Sequence, residues 1–314
     1  MVVRRVSVVV GLAAFAALAL MIPGTRELCA GFLPENSMKI PVGDKSATGL
    51  TEEQFNAVLD KVEEIYKPII AKEGGKLVVT RKWTDPTVNA YANRGWGGTY
   101  NITMFGGLAR HSAVTPDGFA LVACHEIGHH IGGYPKSRGW ATNEGGADYF
   151  ATLKCLRRYY GGGDKGSVRE ECGAAHEGGN GSANCERNAQ AGLSIAKLFQ
   201  ELRKLPEPPD FSTPDESVAD RMNNSHPAPQ CRLDTYFQGG LCNKSISEDV
   251  ASSDPAAGSC VRDNGYVVGI RPLCWYKPPA KKEGPPAVAV RDQLPDMEGL
   301  GRRITALRNS LNAS

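Results

Sequence analysis

The sequence lacks a dominant sign of charge, a lysine- or arginine-rich run and, past its first residues, any long apolar run. Its 314 residues carry 36 Lys+Arg against 34 Asp+Glu, a formal charge of +2. The electrostatic footprint of a nucleic-acid binder is therefore missing, and a polyanionic partner is excluded. Beyond the N-terminus nothing is long and apolar enough to span a bilayer. No internal repeat is present, and the cysteines lie outside CxxC pairs, which excludes a zinc ribbon or a thioredoxin-like redox motif. With 41% hydrophobic residues, disorder throughout is excluded too.

What is there begins with nine cysteines, many for a reducing compartment, so disulfides in an oxidising one are expected. The N-terminus agrees. Arg4 and Arg5 precede an uncharged stretch from Val6 to Ile22, then Pro23-Gly24 and Leu28-Cys29-Ala30-Gly31. Residues 1–30 read as a secretory signal peptide or an uncleaved signal anchor, with the body exported to a periplasm or secreted. Arg26-Glu27-Leu28 before Cys29 does not fit a lipobox. Cleavage after Ala30 would remove Cys29 and leave eight cysteines, an even number. Short loops suggest Cys231 with Cys242 and Cys260 with Cys274. Of the glycosylation sequons at Asn101, Asn180, Asn223, Asn243 and Asn312, the first falls on a candidate substrate strand and points away from a glycosylating host.

After an extended lead-in, Thr51-Glu52-Glu53-Gln54 is a capping box ahead of apolar residues at helical spacing from Phe55 to Ile69, with a stop near Gly74-Gly75. Lys76 to Trp83, a segment around Val88 to Ala92, and Tyr100 to Phe105 read as extended runs forming a small sheet. Thr115-Pro116 starts a helix that reaches Gly132-Gly133. A second runs from about Asn143 to Tyr160, where Gly161-Gly162-Gly163 ends it. Residues 161 to 184 read as a disulfide-held loop, and Glu186 to Lys204 as another amphipathic helix. The chain divides into a domain over 45–245, a Cys-rich extension over 246–276 and a Pro-rich linker and tail over 277–314.

The chemistry concentrates in Cys124-His125-Glu126-Ile127-Gly128-His129-His130. On a helix, His125 and His129 share one face and can bind one metal, while Glu126 sits beside the open position. Zinc fits that donor set. A catalytic zinc needs a third protein ligand, for which Glu144, opening the next helix, is the candidate. Asp148, one turn later, can accept the second ring N–H of a ligating histidine. Gly145 and Gly146 would let that helix pack closely on the first. His130 turns off the ligand face, His111 and His176 are expected in solvent, and Cys124 is expected buried or disulfide-bonded.

His-Glu-x-x-His followed by Glu-x-x-Ala-Asp resembles the gluzincin metallopeptidases, most closely the family of the membrane protease HtpX and the CAAX prenyl endopeptidases, as a soluble exported member. The resemblance covers residues 51 to 235. Upstream it includes Val88-Asn89-Ala90-Tyr91-Ala92 and Tyr100 to Phe105, and downstream Ser225-His226-Pro227 with Arg232. The gap from His129 to Glu144 is short for the family, and the body lacks its membrane helices. The resemblance implies an α+β zincin-like domain with a small sheet on the motif-bearing helix. It implies one zinc on His125, His129 and Glu144, with Glu126 as the general base toward a zinc-activated water. His226 and Arg232 become candidate donors to the developing oxyanion, His226 alternatively a cap on the metal in a closed state. Asn89, Ala90 and Tyr91, or else Tyr100 to Phe105, become an edge strand for an extended peptide. The expected activity is endopeptidase action on unfolded or extended protein. The rivals are a latent or chaperone-like zinc protein and a disulfide-rich interaction protein.

Overall fold

The computed structural model describes residues 31–161, 169–177 and 179–280. The leader expected over 1–30 and the tail from 281 onward lie outside the described residues. By contact the chain divides into Met1–Lys277 and Pro278–Ser314; of the second unit, Pro278–Ala280 are described, without regular structure.

The first unit is mixed α and β. Helix α1 (Glu52–Lys72) starts at the expected capping box, with the Thr51 and Gln54 side chains each bonded to the other's backbone N–H. Its buried stripe of Phe55, Val58, Leu59, Val62, Tyr66 and Ile70 faces strand β1 (Lys76–Lys82) and the central helix. Gly74, at φ +75°, supplies the left-handed turn between them. Strands β2 (Ala90–Arg94) and β3 (Thr99–Phe105) follow. The sheet order is β1-β3-β2, with β1 parallel and β2 antiparallel to β3. Tyr100 to Phe105 is therefore the middle strand, paired on both sides, and cannot be the edge that accepts a peptide. That alternative is corrected, leaving β2.

After the short α2 (Gly106–Arg110), helix α3 (Pro116–Ile131) begins at Thr115, whose side chain accepts from Gly118 N, with Pro116 in the first turn. Every residue from Gly118 to His130 is buried, so α3 is the centre of the molecule, with α1, β2, α4 and α7 packed around it. A two-stranded ribbon, β4 (Lys136–Arg138) and β5 (Ala141–Thr142), precedes α4 (Glu144–Phe150). The helical path continues through a π turn at Ala151–Cys155 into α5 (Leu156–Tyr160). Helices α6 (Glu170–His176), α7 (Gly179–Arg203) and α8 (Pro229–Leu241) complete the layer. Part of the expected loop at 161–184 is thus helical. Its Gly- and Asn-rich sequence carries weak helix propensity, and the Cys172–Cys185 disulfide with packing between α6, α7 and α8 supplies the rest. No helix of the described residues is long and apolar enough to cross a membrane.

The eight described cysteines form four disulfides: Cys124–Cys155, Cys172–Cys185, Cys231–Cys274 and Cys242–Cys260. The last two correct the pairing expected from loop length. Cys231 lies in the first turn of α8 and Cys242 caps its end, so at 1.5 Å rise they stand about 16 Å apart along the axis. A disulfide reaches only about 6 Å between Cα atoms. The nested pairs fasten residues 242–274 back onto α8. Cys124–Cys155 ties the motif-bearing helix to the π turn.

Candidate metal centre

Helix α3 presents His125 and His129 one turn apart, their rings edge to face at 4.6 Å. The Nδ1 atom of His125 donates to Asp148 Oδ1 at 2.7 Å, and that of His129 to the Thr142 carbonyl at 2.8 Å. Each bond holds the proton on Nδ1, so that in the neutral ring a metal would bind, Nε2 is the lone-pair nitrogen.

Helix α4 brings the third donor. Asn143 caps it, accepting from Gly146 N, and its amide also donates to Asn223 O and Asn224 Oδ1. One residue thus starts the helix that carries Glu144 and tethers the loop that carries His226. Glu144 Oε2 lies 3.3 Å from His125 Nε2, and Oε1 lies 3.7 Å from His129 Nε2. Donors about 2.0–2.2 Å from one tetrahedral zinc stand about 3.3–3.6 Å apart. His125, His129 and Glu144 therefore form a buried group able to hold a metal ion, their ligand atoms all within 4.8 Å of one another. His125 Nε2, His129 Nε2 and Glu144 Oε2 are buried without a hydrogen-bond partner, as are both carboxylate oxygens of Glu126. Buried polar atoms are rarely left unpaired, and five in one place fit a metal ion with a carboxylate beside it. The second cluster of this kind, Asp215 with Cys231 and Cys274, is spent in the Cys231–Cys274 disulfide.

Asp148 does more than orient His125. Arg232 grips it with Nε and Nη2, both at 2.8 Å, and donates from Nη1 to the Phe32 carbonyl at 2.7 Å. Asp148 and Arg232 are both buried. The guanidinium is committed to this carboxylate and to backbone, so it is a positioning residue rather than the direct oxyanion donor considered above. His226 does reach the site: its Nε2 is 3.5 Å from Glu144 Oε2 and donates to Gly31 O at 2.6 Å. At the expected substrate strand, Ala90 O accepts from Phe32 N, and the Asn89 side chain accepts from Leu33 N and donates to Leu33 O. Asn89 donates to the Tyr91 hydroxyl as well. The chain's own residues 31–33 already lie against that edge.

Several neighbouring expectations change. Gly145 and Gly146 are not the contact between α3 and α4; that contact is Gly128 against Ala147. A Cβ on Gly145 would instead stand 2.2 Å from the buried Trp275, and one on Gly146 2.7 Å from Thr142. His111 is buried, paired with Glu201 at 3.2 Å, and His176 is half-buried on the Gly240 carbonyl. Both follow from helices that close over them. His130 is structural, stacked between Tyr100 and Trp140, with Nε2 donating to Asn101 O. Sequence reasoning missed Thr142, which acts through a carbonyl that every residue carries. It missed the tether at Asn143 and all of Gly31–Leu33.

The electrostatics of the metal-free site set the acid–base pattern. Burial opposes charge on His125, but Asp148 and then Glu144 carry it up to about 9. Burial pushes Glu126 up to about 8 and holds His129 near 4. For Glu144, His129 and His125 overcome burial and lower it; for Asp148, Arg232 and His125 do the same. Between pH 6.5 and 8, folded His125 and Glu126 bind more protons than unfolded ones, so stability falls as pH rises. His129, shifted the other way, acts below 6.5. The urea midpoint of the metal-free chain is therefore expected to drop from pH 6.5 to 8, and saturating zinc to remove the drop by replacing the protons. A midpoint that rises over this window without metal would contradict the assignment.

Compared with family models, curated proteins and solved structures, the chain matches none.

Proposed function

We propose that this chain is an exported zinc-dependent endopeptidase with a zincin-like core, cleaving peptide bonds in unfolded or extended protein substrates. The observation that carries this reading is the set of uncommitted buried donors on His125, His129 and Glu144 beside the unpartnered carboxylate of Glu126. When bound, zinc supplies Lewis acidity at the scissile carbonyl and lowers the pKa of water to about 7. Glu126 takes the proton from the attacking water and returns it to the departing amine nitrogen as the C–N bond breaks. A bound cation would favour the charged form of Glu126 over the neutral form that burial favours.

His226 is assigned the donor role toward the carbonyl oxygen as negative charge builds there, its Nε2 facing the same Glu144 carboxylate. Asp148 and Arg232 hold His125 in its ligating orientation. An extended peptide is assigned to the edge of β2 at Asn89, Ala90 and Tyr91, beside the chain's own residues 31–33 that pair there, which favours unfolded substrates over folded ones. Four disulfides support an oxidising compartment, hence a periplasmic or secreted enzyme. Glu144→Ala is expected to weaken zinc at least about 100-fold and to abolish cleavage of reduced, unfolded casein. Competition against a zinc chelator checks this, and unchanged affinity would move the third ligand elsewhere.

A further inference from the structure

The groups assigned to chemistry are sealed. His125 and Glu126 are 0% exposed, His129 1% and Glu144 4%, yet a peptide substrate has to reach them. Against them lies the chain's own Gly31–Leu33, which joins the stretch leading into β2. Phe32 N donates to Ala90 O at 2.9 Å, Leu33 is held from both sides by the Asn89 amide, and an antiparallel bridge between Lys39 and Thr87 continues the pairing. Main-chain pairing of this kind is how an extended peptide adds to a sheet edge. Phe32 places its ring 5.0 Å from that of His125, under the Arg232 guanidinium at 4.5 Å.

Gly31 meets the site through His226. Its carbonyl accepts the Nε2 proton of His226 at 2.6 Å, on the nitrogen that lies 3.5 Å from Glu144 Oε2. That proton is the one an incoming substrate carbonyl would need. The fit is tight, since a Cβ there would stand 2.6 Å from the Tyr91 ring and 2.8 Å from the Asn89 amide, so a larger residue has to displace itself or one of them. Phe32 and Leu33 are fully buried in the main core and act as the anchor. The hydrogen bond from His226 and the fit against Tyr91 and Asn89 hold Gly31, which is the part able to lift.

We propose that Gly31, at the end of a segment anchored against β2 by Phe32 and Leu33, is a built-in strap whose carbonyl on His226 stands in the place of a substrate carbonyl, so that this donor is blocked and the site latent until Gly31 lifts. That the latent activity is proteolysis rests on the function proposed above; the strap contact itself requires no metal. The position of Gly31 makes it a tethered competitor of the substrate, and a protein that displaces or trims it is the activating partner.

The test uses the full chain with Gly31→Val, and Gly31→Ala as the milder form should the valine variant lose its native near-ultraviolet dichroism. One readout is the rate at which diethyl pyrocarbonate modifies His226 in the metal-free protein, followed by peptide mass spectrometry. The other is zinc-dependent cleavage of unfolded casein. Both are expected to rise about tenfold, as lifting a strap held by about 1.4 kcal/mol would give. Unchanged modification of His226 in a natively folded variant overturns the strap. A released His226 with cleavage no faster than a measurable wild-type rate overturns the latency. Release of His226 with no zinc-dependent cleavage in either protein upholds the contact and overturns the peptidase reading instead.

Discussion

Glu126→Gln is expected to bind one zinc per chain as the parent does and to cleave unfolded casein about 10²- to 10⁴-fold more slowly, the usual worth of a positioned general base. The substitution keeps the shape of the side chain and removes only its ability to take a proton. It breaks no hydrogen bond of the fold, because neither Glu126 oxygen has a partner among the described residues. Folding stability is expected to hold, since a group that burial drives toward its neutral form is replaced by one that is neutral already. The measurement is kcat/KM beside metal content on the same preparation. A variant that holds its zinc and still turns over at more than a tenth of the parent rate would remove Glu126 from the mechanism.

Asp148→Asn is expected to have the largest effect on the fold itself. The carboxylate makes three charge-assisted contacts, two with Arg232 and one with His125, all buried. Removing its charge leaves the Arg232 guanidinium buried opposite a neutral amide. Breaking a buried pair from one side costs about 3–5 kcal/mol. The metal is expected to weaken about 10- to 100-fold, because His125 loses the acceptor that fixes its tautomer. Urea unfolding of the metal-free chain with its disulfides intact gives the first number, and chelator competition the second. If both stay at parent values, Asp148 is a bystander and Arg232 has lost its assigned purpose. Because the two residues act as a unit, the double variant Asp148→Asn with Arg232→Gln is expected to cost less than the sum of the singles.

The candidate centre was legible where local spacing dictates geometry. Positions 125 and 129 share a face of any helix, and positions 144 and 148 share a face of the next, so the candidate ligands and the carboxylate behind them follow from two short motifs. The same holds for the capping box at Thr51 and the helix start at Thr115-Pro116, where a side chain satisfies backbone N–H groups within its own turn. Legibility failed where a residue answers to something far along the chain. Gly145 is small because Trp275 lies on it, and no local pattern reveals a partner so distant in sequence. The disulfides departed from the pairing of sequence neighbours because residues 229–241 form a helix that separates Cys231 from Cys242. The polar and glycine residues of that segment hide its helical period. Arg232, isolated by sequence as a donor to substrate, turned inward because Asp148 faces it across two helices. Residues 31–33 read as plain lead-in, and their place beside His125 and His226 is set by contacts far along the chain, with residues 89 to 91, 199, 226 and 232.

The most direct measurement is a zinc titration of the chelator-stripped full chain, following bound metal and cleavage of unfolded casein together. The account predicts one tight site per chain, with cleavage absent at the start, rising in proportion to occupancy and levelling at one equivalent. Cleavage that persists in the stripped protein, or a chain that binds no zinc at His125, His129 and Glu144, would contradict it.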